Sequence, residues 1–396
     1  MFKFEKKFLE FIEKNIFFII LIAAFLAGAA IRLSVRNFVS EDAYNYLLEW
    51  YNEIKACGGL KALDHQVGNY NVLYQTLIAL FTYLPIPALF AYKGLSIVFD
   101  LLLACLAGFI LYKETGKSTE AVVVFSLIWL SPVVFFNSSF WAQCDSIYTF
   151  FVVLSLYLLY KEKHILSFVV LGVALSFKLQ AVFILPFFLF MYFYKKKFSI
   201  LHFLITPAVM WVSTIPAIIA GRSIFTGFSL YFSQTDEYGC VIMNYPSFLH
   251  TIAYDYMQNN YKYAKAIGMV ITVSVLAFWM IYVLWSQKNK EKEQMDLFKN
   301  PSLFISFSLL LTYTTVFMLP AMHDRYGFLY EILAILYMFR NKKSIIPCIA
   351  LQIMSVCTYS NFLFHVGIGV HILAVINFAV YAVYCYLFTK ELKAAA

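Results

Sequence analysis

The segment Ser40–Tyr74, SEDAYNYLLEWYNEIKACGGLKALDHQVGNYNVLY, starts five residues after the apolar run NIFFIILIAAFLAGAAIRLS at 15–34. About 20 consecutive apolar residues cross the hydrocarbon core of a bilayer, and the 15–34 run meets that length. The segment that follows is too polar to cross and too aromatic for a plain linker. The pair reads as a membrane span that delivers the chain into a structured, acid-bearing loop on one membrane surface.

Outward from this pair, apolar runs recur to the end of the chain. Hydrophobic residues make up 62% of it, charged residues 13%, and the mean hydropathy is +0.75. A soluble domain has about 45–50% apolar and about 25% charged residues. The expected fold is therefore all-α and polytopic, one membrane-embedded domain over 1–396. Spans are predicted at 15–34, 88–112, 119–136, 143–160, 165–177, 181–194, 198–220, 266–285, 301–320, 327–339, 344–363 and 366–388. Lys3, Lys6, Lys7 and Lys14, with Ala27-Gly28-Ala29 further on, imitate a secretory signal. The run is read as an uncleaved first span, and Ala394–Ala396 are set aside.

Charge orients these twelve spans. With the N-terminus inside, 20 of the 30 basic residues fall on inner segments, among them Lys195–Lys197, Lys288, Lys290, Lys292, Arg340, Lys342 and Lys343. The inner acids include Glu291 and Glu293; the inner side is then net +10 and the remainder net −2. The positive-inside rule predicts both termini inside, the acid balance points to chemistry on the outer side, and the expected location is the plasma membrane. Two outer loops are long, 35–87 and 221–265, and tyrosines of the second are candidates for a carbohydrate cleft. No basic stretch exceeds Lys195–Lys197, which argues against a nucleic-acid partner. Seven cysteines without a CxxC spacing indicate neither a zinc site nor a disulfide framework; Cys57 and Cys240 share the outer side and are either paired or free.

In the first outer loop a surface helix is predicted over 42–57, with Ala43, Leu47, Trp50 and Ile54 on one face and Asp42, Asn45, Glu49 and Glu53 on the other. Gly58-Gly59 ends it. A second short helix at 70–84 closes at Pro85 and Pro87. The segments 165–177 and 327–339 are about 20 Å long at the helical rise, short for a span. Their outer ends, Phe177-Lys178-Leu179-Gln180 and His323-Asp324-Arg325-Tyr326, either lie at a depth where charge is tolerated only beside a protein-lined or watery cavity or, if the boundaries shift by a few residues, snorkel outward to the surface.

Four groups of residues are candidates for chemistry. Asp42, beside Glu41, has the chemistry of a general base, since a sugar hydroxyl is a poor nucleophile until a carboxylate takes its proton; its other reading is a helix-start acid behind an N-cap Ser40. Lys178, in an apolar stretch, is either a phosphate ligand together with Gln180 or half of an internal ion pair with Asp145 or Asp100. Arg325 and His323 suit phosphate recognition, with an Asp324–Arg325 pair as the alternative. In Trp141-Ala-Gln143-Cys-Asp145, Gln143 and Asp145 are candidates for sugar hydroxyls beside an apolar tryptophan face, or Asp145 only starts the next helix. Asn137-Ser138-Ser139 is a formal N-glycosylation triplet. No DxD, HExxH, GxSxG, Walker or GxGxxG pattern occurs, which argues against metal hydrolases, serine hydrolases and nucleotide-driven pumps.

Asp42-(x)7-Trp50-Tyr51, Gly58-Gly59-Leu60 and Gly68-Asn69-Tyr70-Asn71, followed by Asn137–Ile147, Ala174–Ala181 and Met322–Tyr326, resemble in order the motifs of GT-C glycosyltransferases. The likeness covers most of 15–340 and is nearest to bacterial relatives of the GPI-anchor mannosyltransferases and the dolichyl-phosphate-glucose-dependent glucosyltransferases. The resemblance implies inverting transfer of a hexose from a polyprenyl-phosphate donor to a glycan or lipid-linked saccharide acceptor on the outer face. It implies Asp42 as the base, with Lys178, His323 and Arg325 near the donor phosphate. Glu41, Asn45, Tyr70, Asn71, Gln143, Asp145 and Gln180 are the expected substrate contacts. The sequence has His-Asp-Arg-Tyr where many relatives have His-Glu-Arg-Tyr, and its double acid is Glu41-Asp42. Two cations facing a monophosphate leaving group need no metal, so neither metal nor other cofactor is expected. Competing readings are a lipid-saccharide transporter or flippase, against which 1–200 and 201–396 show no repeat, and a non-catalytic subunit of a cell-wall polysaccharide assembly.

Overall fold

The computed structural model describes residues 1–234, 239–252, 260–288 and 296–395. Lys290, Lys292, Glu291 and Glu293 of the orientation argument, and Tyr238, Tyr254 and Tyr256 of the second long loop, lie outside the described residues. The chain is all-α and polytopic, and no strand occurs among the described residues.

Helix α1 (Lys3–Ser34) is followed by a π-turn at Ala43–Leu47 that runs into α2 (Leu48–Ala56). Then come α3 (Val72–Phe81), α4 (Ala88–Thr115), α5 (Ser118–Trp129), the single turn α6 (Pro132–Phe135), α7 (Asp145–Tyr160) and α8 (His164–Phe177). A 3-10 turn at Leu179–Ile184 leads to α9 (Leu185–Lys195), followed by α10 (Ile205–Ser213), α11 (Ile215–Ile219) and α12 (Thr226–Gln234). The series ends with α13 (Tyr261–Lys288), α14 (Pro301–Met318), α15 (Phe328–Met338), α16 (Ile345–Phe364) and α17 (Val370–Ala395).

All twelve expected spans fall on helix, but they are not twelve equal crossings. Six helical segments among the described residues are long and apolar enough to cross alone, and a seventh crossing arises if α5 and the Pro132–Phe140 stretch, bent by 42°, count as one. The other five are helices of 10–17 residues. At 1.5 Å per residue none exceeds about 26 Å, against a hydrocarbon core of about 30 Å. They end early where the backbone leaves the helix, as at Lys178, which is extended (φ −153°, ψ 136°). Such breaks survive at membrane depth only inside protein, and α14 and α15 are buried along nearly all their length.

Buried charge ties the bundle together. Arg32 of α1 donates to Asp100 Oδ2 of α4 from Nη2 at 2.9 Å and Nε at 3.2 Å, and to the Trp129 carbonyl at 2.9 Å. Its guanidinium lies 3.6 Å from the Trp129 ring centre. Asp100 also accepts from Ser138 at 2.6 Å and from Ser146. Of the two partners proposed for Lys178, Asp100 is therefore committed elsewhere. Lys93 of α4 donates to the carbonyls of Val35 (3.0 Å) and Phe38 (2.7 Å), satisfying orphan acceptors past the end of α1 and fixing where the chain leaves it. Cys57 and Cys240 are both free.

Replacing Asp100 by alanine strands Arg32 among apolar groups. Thermal unfolding in detergent is expected to show a loss of about 3–5 kcal/mol, with much of it regained in the double variant Arg32→Met/Asp100→Leu.

Candidate active site

Two π-turns build the centre of the site. The first widens the start of the loop helix, so that Ala43, Leu47, Tyr51 and Ile54 face the core. The extra residue in a π-turn offsets the faces that a regular helix would present. Asp42 thus parts from Asn45 and Glu49, which are exposed, and half-buried Trp50 lines a cleft instead of packing fully. Ser40 caps the turn: its Oγ accepts from Ala43 N at 3.2 Å and donates to the Trp141 carbonyl at 3.1 Å. The second π-turn, Phe136–Phe140, ends where Trp141 and Gln143 are aimed back at the first. Trp141 Nε1 donates to Asp42 Oδ2 at 2.7 Å and Gln143 Nε2 donates to the same oxygen at 3.1 Å.

Below Asp42 lies a second carboxylate. Asp145, the first residue of α7, is fully buried. It holds the Lys178 ammonium on Oδ1, accepts from Asn137 Nδ2 at 2.7 Å on Oδ2, and faces Arg325 Nε at 3.7 Å. Arg325, in the connection between α14 and α15, also places Nη1 3.7 Å from Asp42 Oδ2 and its guanidinium 5.3 Å from the Trp141 ring centre. One arginine thus bridges the two acids. Its Nε is buried without a hydrogen-bond partner among the described residues.

Two clefts meet at this arginine. One, of about 570 Å³, holds Asp42 with Tyr46, Trp50, Trp141, Gln143, Asn244 and Phe362. The other, of about 430 Å³, holds Lys178, Gln180 and Lys265 among Phe177, Leu179, Phe183, Met269 and Leu319. Asn69, Tyr70, His323 and Arg325 line both. Gln180 is buried, and its Oε1 has no hydrogen-bond partner among the described residues.

The dividing loop is clipped in place. Arg222, between α11 and α12, donates to Gln66 Oε1 at 2.5 Å and to Gln75 Oε1 at 3.2 Å. Gln66 Nε2 in turn donates to the carbonyls of Gly68 (2.8 Å) and Tyr70 (2.9 Å), and Tyr70 OH donates to Gln143 Oε1 at 2.7 Å. Gly68 has φ +68°, and a Cβ there would come within 2.5 Å of the Trp50 ring, so only glycine fits.

Of the expected residues, the fold gathers Asp42, Tyr70, Asn71, Gln143, Lys178, Gln180, His323 and Arg325 around the two clefts. Asn71 lines the second while its Oδ1 caps α3 through Val72 N at 2.7 Å. Three expected substrate contacts stand elsewhere. Glu41 points outward to His365 Nε2 at 3.2 Å, because the π-turn commits its neighbour Asp42 inward. Asn45 is exposed and lines neither cleft. Asp145 lines neither as well; fully buried, it is the counter-ion beneath Lys178 and Arg325. The Asn137 triplet is buried, its side chain spent on Asp145, so it is no glycosylation acceptor. Of the second loop's tyrosines, Tyr231 lines a cleft, whereas Tyr245 is core, bonded to Tyr330 OH at 2.6 Å. Lys265, Arg222 and Trp141 as a donor to Asp42 were not foreseen.

Residues 69–319 match the model of Glycosyltransferase family 87, well over half of the chain, and the protein belongs to this GT-C-like family of membrane glycosyltransferases. No curated protein matches the chain. The matched region takes in Tyr70, Asn71, Gln143, Lys178 and Gln180; Asp42 precedes it, and His323 and Arg325 follow it.

Burial, together with the nearby Arg325 and Lys178 cations, pushes the His323 imidazole down to about 3, so the ring is neutral. Burial pushes the Asp324 carboxyl up from 3.8 to about 6, against the pull of Arg325. The folded protein therefore keeps a proton on Asp324 that the unfolded chain has lost, and stability falls as pH rises from about 4 to about 6. Thermal unfolding across that window is expected to show this slope, and Asp324→Asn to flatten it.

Proposed function

We propose that the protein is an inverting hexosyltransferase that uses a polyprenyl-phosphate sugar donor and acts on a hydroxyl of a cell-envelope glycan or lipid-linked saccharide. The reading rests chiefly on one observation: a carboxylate and two cations face adjoining clefts that meet at Arg325. The cation-bearing, largely apolar cleft suits a lipid phosphate with its first prenyl units. The cleft around Asp42, edged by Tyr46, Trp50 and Trp141, suits the acceptor sugar.

In this reading the acceptor hydroxyl attacks the anomeric carbon from the Asp42 side, and Asp42 takes its proton. The bond from the anomeric carbon to the phosphate oxygen breaks on the opposite side, and the electron pair leaves with polyprenyl phosphate. Attack and departure on opposite faces give inversion. Lys178 and Arg325, which line the donor cleft, offset the charge that develops on the phosphate. Trp141 and Gln143 hold Asp42 oriented, and Gln180, which lines the donor cleft, contacts the donor sugar. In this reading the chemistry takes place on the extracytoplasmic side of the plasma membrane, and the charge bias of the loops supports that orientation.

Incubation of the purified protein with a panel of polyprenyl-phosphate hexoses and an acceptor extract tests the proposal. One donor is expected to be consumed with release of polyprenyl phosphate. Asp42→Asn is expected to lower turnover by about 10²–10⁴-fold while the protein still folds and binds donor. Near-normal turnover in that variant would remove Asp42 as the base, and no consumption of any lipid monophosphate sugar would remove the donor class.

A further inference from the structure

Two aromatic rings continue the wall of the acceptor cleft beyond Asp42. Tyr46, in the first π-turn, and Trp50, in α2, stand four and eight residues further on, about 6 and 12 Å along the axis at the helical rise, and all three line the same cleft. The two rings are neighbours, with centres 5.9 Å apart and planes tilted by 42°. Tyr44, two residues before Tyr46, is exposed and lines neither cleft. The cleft encloses about 570 Å³, more than a single sugar ring beside Asp42 fills.

Trp50 is held as a fixed surface. Gly68 lies so close against it that a Cβ there would come within 2.5 Å of the indole, and Tyr70 meets it edge-on with centres 6.0 Å apart. Tyr70 is in turn tied to Gln143 Oε1 at 2.7 Å. With these contacts behind it, half-buried Trp50 still lines the cleft, and so does Tyr46, which is 52% exposed. Trp141 is no such surface: it is fully buried, stacked on Phe362 at 4.5 Å, and its Nε1 is spent on Asp42. Rings presented on a cleft wall suit the apolar C–H face of a pyranose, and the exposed amides of Asn69 and Asn244 on the same walls suit its hydroxyls. Asp42 and Asp324 in the lining, with Glu49 exposed beside Trp50, disfavour an anion, and Arg325 is held by Asp42 and Asp145.

We propose that Tyr46 and Trp50 form a second sugar subsite, one unit removed from the hydroxyl that Asp42 deprotonates, and that the acceptor is an uncharged oligosaccharide rather than a single sugar. The inference rests on the reading of this cleft as the acceptor site. A ring pair fixed in advance spends little ordering entropy on binding, so the second unit contributes affinity and holds the first in register with Asp42.

The test offers the full-length protein in detergent a panel of neutral disaccharides, the matching methyl monosaccharides and a uronic-acid disaccharide, with binding read by saturation-transfer NMR. At least one neutral disaccharide is expected to bind about tenfold more tightly than its monosaccharide. Tyr46→Ala and Trp50→Ala are each expected to remove most of that difference, Trp50→Phe to restore part of it, and Tyr44→Ala to leave it unchanged. Tyr46 is mostly exposed, so Tyr46→Ala tests the subsite even where Trp50→Ala disturbs the loop. Equal binding of monosaccharides and disaccharides across the panel would overturn the proposal, as would undiminished disaccharide binding in Tyr46→Ala and Trp50→Phe or a preference for the uronic-acid disaccharide. Donor consumption, measured separately, keeps the two readings apart. Disaccharide binding through Tyr46 and Trp50 in a protein that consumes no lipid-phosphate hexose supports the subsite and removes only the donor class.

Discussion

Arg325 held between Asp42 and Asp145 is the constraint around which the site is arranged. A guanidinium taken out of water needs anions near it, and the two carboxylates lie 3.7 Å away on either side. Asp145 answers for the buried half of the charge and for Lys178, and Asp42 faces the half on the cleft side. Without Asp145 two cations would face each other with no counter-charge beneath them. The depth of Asp145 is therefore as necessary to the site as the accessibility of Asp42.

Irregular backbone makes that arrangement possible. A regular helix over 42–57 would put Asp42 in line with Asn45 and Glu49 on the solvent face; the π-turn brings it round to Trp141 and Gln143. The π-turn at Phe136–Phe140 performs the matching correction on the other side. Lys178 reaches the cleft because α8 stops at Phe177 and the chain runs extended through it. Each departure has its backbone groups met inside protein, as at Ser40, which joins the first π-turn to the Trp141 segment.

Much of this was legible in the residues. Lys178 and Arg325 stood out because charge in apolar surroundings is expensive, and Asp42 because it follows the first span directly. The resemblance to GT-C enzymes agrees with the family match. Partners were harder to read. Lys178 had two acids within plausible reach, and only packing shows that Asp100 serves Arg32 while Asp145 serves Lys178. Which of Glu41 and Asp42 faces the cleft depends on a π-turn, which leaves no mark on hydrophobic periodicity. Arg222 and Gln66, which hold the loop between the clefts, look in sequence like ordinary polar loop residues. All twelve predicted spans fall on helix, but hydropathy is blind to where a helix breaks and so did not separate the long helices from the short ones.

The central claim, that the cation-bearing cleft takes the lipid phosphate and the Asp42 cleft the acceptor, is tested most directly by a structure with a non-transferable polyprenyl-phosphonate sugar bound. The account predicts phosphonate oxygens within hydrogen-bond distance of Lys178 and Arg325, the prenyl chain along Phe177, Leu179 and Phe183, and the anomeric carbon turned toward Asp42. A phosphonate seated in the Asp42 cleft, or one that touches neither cation, would contradict it.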